Sequence, residues 1–144
     1  MNPETDDPPP LGRILETSLY VNDVARTRAF YEDVLGLKPM MHDERLTAYS
    51  AGPGSVLLLF RHGSTDRPAP TPGGTIPAHD GAGHLHYAFS VTADGVDRWR
   101  AHLVGKGVDI ESEVTWPRGG RSLYFRDPEG NLVEMASPGL WDNY

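Results

Sequence analysis

Cysteine is absent from the 144 residues. Its absence excludes disulfides, thiolate-held zinc and a cysteine nucleophile, so any metal must be held by imidazole and carboxylate. The redox compartment is left open by the same fact. Long apolar runs are missing too, and no stretch is long enough to span a bilayer. The opening MNPETDDPPPLGR has neither the basic flank nor the apolar run of a signal peptide. Clusters of lysine or arginine are also lacking, and 20 acidic residues stand against 13 basic ones for a net charge of −7. A non-specific nucleic-acid binder needs a basic face, so neither nucleic acid nor membrane is expected as a partner, and a cytoplasmic protein is.

What is present suits one globular domain: 38% of the residues are hydrophobic and 23% charged. Residues 1–12 read as a disordered proline-rich tail, since acidic residues and prolines build no core. The domain is expected over 13–137, followed by a tail at 138–144. The ending SPGLWDNY, from Ser137, carries Leu140 and Trp141 and is expected to pack on its own domain or across a dimer partner.

Within the domain a pattern occurs twice. Leu15 to Val21 alternates as a strand, Asn22 or Asp23 offers a helix cap, Val24, Phe30, Tyr31, Val34 and Leu35 recur at helical spacing, and Gly36 stops the helix. HLHYAFSV, from His84 to Val91, then repeats the strand. Asp94 repeats the cap, Val96, Trp99 and Leu103 the helical stripe, and Gly105 or Gly107 the stop. Setting Glu16 against His86 brings Leu19 onto Phe89 and Val21 onto Val91. Three strand-like runs follow each helix: Lys38–Asp43, Leu46–Ala51 and Val56–Arg61 in the first half, Val108–Trp116, Arg121–Arg126 and Leu132–Ala136 in the second. This is βαβββ twice, in modules 13–62 and 84–137. Residues 63–83, rich in proline and glycine, read as a linker or lid loop.

The second module's first strand is unusual. His84, His86, Ala88 and Ser90 fall on one face and Leu85, Tyr87, Phe89 and Val91 on the other. Small residues beside imidazoles leave room for a ligand or a metal. Glu134, in LVEMA, and Glu16, in ILETSLYV, are carboxylates within apolar strands, where an unpaired charge is costly to bury. Each of the three taken alone has a simple structural explanation, as an edge carboxylate or a hydrogen-bonded core histidine.

LYVNDVARTRAFYEDVLGLK, GHLHYAFSV and LYFRDPEGNLVEM resemble the vicinal oxygen chelate superfamily. That group takes in glyoxalase I, extradiol dioxygenases, fosfomycin-resistance thiol transferases, methylmalonyl-CoA epimerase and bleomycin-resistance proteins. The resemblance implies an α+β fold in which two tandem βαβββ modules make a partly closed mixed-sheet cup with helices outside. It implies metal ligands from the first and last strands of the modules: Glu16, His86 and Glu134, with the fourth position falling near Leu58, which cannot ligate. The implied cofactor is a divalent ion, iron, manganese, nickel, cobalt or zinc, and the implied partners are a small-molecule substrate and a second copy in a homodimer.

The implied activity is that of a metal-dependent enzyme on a small oxygen-chelating substrate, of lyase, isomerase, thiol-transfer or ring-cleaving dioxygenase type. Glu134 is a candidate base. Tyr124, ten residues before it, matches the dioxygenase spacing for a tyrosine beside the substrate, but a glutamate at position 16 departs from the two histidines of those enzymes. His84 and, in the loop, His79 and Asp80 are further candidates, as are Arg118 and Arg121 for an anion and Met40, Met41, Phe60 and Trp116 for an apolar lining. The competing class is a metal-free drug binder like the bleomycin-resistance proteins, with which the acidity is compatible.

Overall fold

Leu19 and Val21 alternate with Ser18 and Tyr20 along the first strand, and they are the two residues of that strand buried essentially completely. Burial of this kind contributes about 1.5–3 kcal/mol for each such side chain. The computed structural model describes residues 7–144, so the first six residues of the expected proline-rich tail lie outside the described residues. The order is β1 (Glu16–Val21), α1 (Val24–Ala29) running into a π-helical turn (Phe30–Val34), β2 (Lys38–His42), β3 (Leu46–Ser50) and β4 (Val56–Arg61). A short hairpin of β5 (Ala69–Thr71) and β6 (Gly74–Ile76) follows. Then come β7 (His86–Ser90), α2 (Gly95–Gly105), β8 (Ser112–Thr115), β9 (Arg121–Arg126) and β10 (Leu132–Ala136).

The two modules form separate four-stranded sheets in equivalent order, β1-β4-β3-β2 and β7-β10-β9-β8. In both, the first strand runs parallel to the last. Their registers match residue by residue: Glu16 lies opposite Val56 and Ser18 opposite Leu58, as His86 lies opposite Leu132 and Ala88 opposite Glu134. Gly36 and Gly107, which stop the two helical segments, both have φ near +75° (73 and 78), a region where a Cβ is disfavoured.

One core serves both modules. Leu19, Val21, Tyr49, Leu57 and Leu59 from the first sheet join Leu123, Phe125, Val133 and Met135 from the second, with Tyr31, Leu35, Val96 and Leu103 from the helical segments. By alternation, the faces carrying Glu16, Ser18 and Tyr20, and His86, Ala88 and Ser90, are turned away from this core. The π turn, closed by Leu35 N–H to Phe30 O at 3.2 Å, was not legible from periodicity; it accompanies the full burial of Tyr31. Nor was the hairpin within residues 63–83 expected.

A polar seam ties the modules together. Tyr87 donates to the Tyr31 hydroxyl at 2.8 Å and Tyr31 to Asp127 Oδ2 at 2.7 Å. Asp127 also accepts from the backbone N–H of Glu129 and Asn131, both at 2.9 Å, which shapes the DPEGN turn. That turn presents Glu129, whose Oε1 accepts from the N–H groups of Asn22 and Asp23 at 2.8 and 2.7 Å, at the start of α1. Alanine at Glu129 is expected to lower the unfolding free energy by about 1–2 kcal/mol. The urea midpoint at unchanged slope measures this, and an unmoved midpoint would mean that this carboxylate adds nothing to docking of the modules.

Candidate metal centre

Glu134 is 5% exposed, a carboxylate in the centre of a strand otherwise made of Val133, Met135 and Ala136. Two arrangements hold it. Ser122, on the neighbouring strand, donates to Oε2 at 2.5 Å and itself accepts from the Trp116 indole N–H at 2.8 Å. The other oxygen, Oε1, lies 3.3 Å from Nε2 of His86, whose side chain is half exposed.

The imidazole is oriented from behind. Its Nδ1 lies 2.9 Å from the carbonyl oxygen of Leu132. A carbonyl only accepts, so Nδ1 carries the hydrogen and the Nε2 lone pair of the neutral ring is directed at Oε1. Two lone pairs facing each other at that distance repel unless a proton or a metal ion lies between them. A backbone carbonyl that sets the tautomer from the far side is also how metal-bound histidines are characteristically positioned. The pair thus fits a divalent ion with one nitrogen and one oxygen ligand.

Tyr124 lies directly opposite Glu134 in the β9–β10 ladder, and its ring centroid is 6.3 Å from that of His86. Burial, then the Glu134 charge, raises the pKa of its phenol, so Tyr124 stands beside the carboxylate as a proton-bearing donor. Ala88, Ser90 and Ala136, the small residues of this face, border a recess of about 190 Å³ roofed by Leu140, Trp141 and Tyr144. The tail therefore does pack on its own domain: Tyr144 donates to the Ala136 carbonyl at 2.7 Å, although Trp141 remains 66% exposed.

Glu16 is exposed at the head of β1 on the other sheet, in the place that His86 occupies in its own. Among the described residues no three histidine, aspartate or glutamate side chains converge to hold a metal. A single chain therefore brings together His86, Glu134 and Tyr124 but not Glu16. Leu58 holds the position equivalent to Glu134, as the repeat indicates.

The other candidates are engaged elsewhere. The ring of His84 lies over Gly130, where an added Cβ would meet Nε2 at 2.7 Å. His79 Nδ1 is 2.8 Å from the Tyr20 hydroxyl, over the first sheet. Arg118 pairs with Asp142 and Arg121 with Asp97, each at 2.7 Å. Met40 and Met41 are exposed on β2. Ser122, which orients Glu134, was missed; its signal was its place two residues before Tyr124, on the same strand face.

Residues 13–135 match the model of the Glyoxalase/Bleomycin resistance protein/Dioxygenase superfamily. The chain is 33% identical to lactoylglutathione lyase from Agrobacterium tumefaciens, whose crystal structure superposes with TM-score 0.84 over 93% of this chain and 99% of that one. The metallothiol transferase FosB of Shouchella clausii is 29% identical over 119 residues, 80% of this chain and 73% of that protein. FosX from Listeria monocytogenes, a fosfomycin resistance protein, superposes with TM-score 0.64 over 90% of this chain and 96% of that one at 20% identity, a likeness of fold alone. No helix among the described residues is long and apolar enough to cross a membrane. Paired βαβββ sheets of matching register and a family match over 123 of 144 residues place the chain in the glyoxalase/bleomycin resistance/dioxygenase group of the vicinal oxygen chelate superfamily.

Proposed function

We propose that this protein is a divalent-metal-dependent enzyme acting on a small substrate with two neighbouring oxygens, by proton or thiol-group transfer. The observation that carries the reading is the approach of His86 Nε2 to Glu134 Oε1, 3.3 Å apart with each side chain anchored from behind. Two carboxylates and one histidine make a hard, oxygen-rich site. That set favours non-oxidative chemistry, as do the relatives, a metallothiol transferase and a lactoylglutathione lyase.

In this reading the third ligand is Glu16 of a second copy. Strands β1 and β7 are each at the edge of their sheet, and the faces bearing Glu16 and His86 both turn from the core. A twofold dimer that lays one chain's β1 beside the other's β7 would unite Glu16, His86 and Glu134 twice. Bound metal would supply Lewis acidity toward the substrate oxygens. Tyr124 would donate a hydrogen bond to a substrate oxygen. Glu134, with Oε2 fixed by Ser122, would take up or deliver the proton.

The test is metal content in protein purified without chelators or a metal-binding tag. About one ion per chain is expected in the wild type, with loss in Glu16→Ala, His86→Ala and Glu134→Ala alike and a dimeric mass in solution. Retention in Glu16→Ala alone would overturn the contribution of a second copy. No uptake of iron, manganese, nickel, cobalt or zinc would overturn the enzyme reading and favour a metal-free drug binder.

A further inference from the structure

Arg45 carries the one buried side-chain nitrogen or oxygen among the described residues that lacks a hydrogen-bond partner, its Nε. It sits in the turn before β3 with its backbone fully engaged. Its N–H donates to Asp43 Oδ1 at 2.7 Å, and its carbonyl accepts from Arg61 N–H at 2.9 Å and from the Ser64 hydroxyl at 3.2 Å. The guanidinium lies 5.7 Å from the centroid of Phe60, and no ion pair among the described residues includes it. Backbone N–H donation first, and then the Arg45 charge, holds the nearby Asp43 carboxyl below its ordinary value. Without a contact ion pair, however, the guanidinium keeps donors that a carboxylate on a ligand can meet.

The surroundings are built. Phe60 stacks on Tyr20 with centroids 5.9 Å apart, and the His79 ring meets Phe60 edge-on at 4.7 Å. Gly81 is close enough to the Tyr20 ring that an added Cβ would come within 2.3 Å of it, so the 63–83 loop is seated on this cluster. Tyr20 and Phe60 belong to the same face of the first sheet as Glu16, by the register that pairs Glu16 with Val56 and Tyr20 with Phe60. Four residues of strand separate Glu16 from Tyr20, roughly 13 Å.

We propose that Arg45, through its terminal guanidinium nitrogens and not the buried Nε, anchors the carboxylate of an elongated small-molecule substrate whose chelating oxygens lie at the Glu16 end of the same face, roughly 15 Å away. Arginine's planar fork suits a carboxylate, and Phe60 holds the fork in place by cation–π attraction. Only the second half of the proposal, the distance to a metal, rests on the function proposed above. Carboxylate binding at Arg45 does not.

The test uses the full chain freed of metal by a chelator, with sodium glutarate as probe and glutaramide as its uncharged control at constant ionic strength. The Nε–H resonance of Arg45 is expected to shift saturably with glutarate and to stay still with glutaramide. The ring signals of Tyr20, Phe60 and His79 should shift with the same concentration dependence. Arg45→Met, which keeps an apolar stem over Phe60, is expected to weaken the binding reported by those rings at least tenfold. No saturable shift, or equal shifts with glutaramide or in the methionine variant, would overturn the proposal. Because no metal is present, failure here leaves the metal-content result untouched, and failure there leaves this one untouched.

Discussion

Glutamine in place of Glu134 is expected to weaken metal binding by at least about 100-fold and to raise the melting temperature of the metal-free protein by a few degrees. Both effects have one origin. The carboxylate is nearly inaccessible, and of its two oxygens one has a hydroxyl donor while the other faces an imidazole nitrogen that presents a lone pair whenever the ring is neutral. With neither a metal ion nor a proton between the two atoms the arrangement is unfavourable, because a buried charge with incomplete pairing costs several kcal/mol. The amide is isosteric and uncharged, and its NH₂ can donate to Nε2, turning a repulsive contact into a hydrogen bond. Ser122→Ala should also weaken metal affinity, by about 10–100-fold, since it removes an orienting group and not a ligand. Calorimetric titration with each divalent ion and thermal melts in chelator measure the two effects. A glutamine variant that binds metal like the wild type would remove Glu134 from the ligand set, whereas a lower melting temperature would mean that the carboxylate stabilises the fold without metal.

Above pH 10 the protein is expected to lose stability steeply and to unfold between about pH 11 and 12. Burial is the leading cause that raises the Tyr31 and Tyr87 phenols well above their ordinary range, and burial likewise brings Tyr49 up to about 12. The neighbours reinforce this: Tyr31 donates to Asp127 and Tyr49 to Glu32, so ionisation would place two anions in contact. In the unfolded chain these phenols ionise near pH 10. Above that pH the unfolded state binds fewer protons than the folded one, and stability falls as pH rises. Each phenol contributes a loss of about 1.4 kcal/mol per pH unit, so three contribute about 4 kcal/mol per unit. Urea unfolding at intervals from pH 8 to 11 measures the slope. Tyr31→Phe with Tyr87→Phe should lower stability at pH 8, by loss of the Asp127 hydrogen bond, yet flatten the alkaline decline. An unchanged slope in that double variant would show that these phenols do not govern it.

Much of the architecture was legible because it follows from local periods. Val56–Arg61, Arg121–Arg126 and Leu132–Ala136 are strands with the expected bounds, and Val108–Trp116 shortens to Ser112–Thr115, whose exposed residues mark a sheet edge. The repeat also predicted which positions correspond, and the ladders bear this out at Glu16 and His86 and at Leu58 and Glu134. The π turn was invisible because a five-residue hydrogen bond leaves a pattern of apolar residues close to that of an ordinary helix. The β5–β6 hairpin was hidden in a segment whose prolines and glycines argue for a loop.

The candidate metal centre divides along the same line. Alternation along a strand is a property of successive residues, so His86, Ala88 and Ser90 sharing a face, and Glu134 standing among apolar neighbours, followed from the order of the amino acids. Which groups then meet is decided by pairing between segments far apart in the chain. The Trp116–Ser122–Glu134 relay, the Leu132 carbonyl behind His86 and the Glu129 cap on α1 all depend on those pairings. So does the placement of Glu16 on a second sheet. Side-chain period is encoded over a few residues, whereas convergence of charged groups depends on how two whole sheets lie on one core, and no short stretch of chain specifies that.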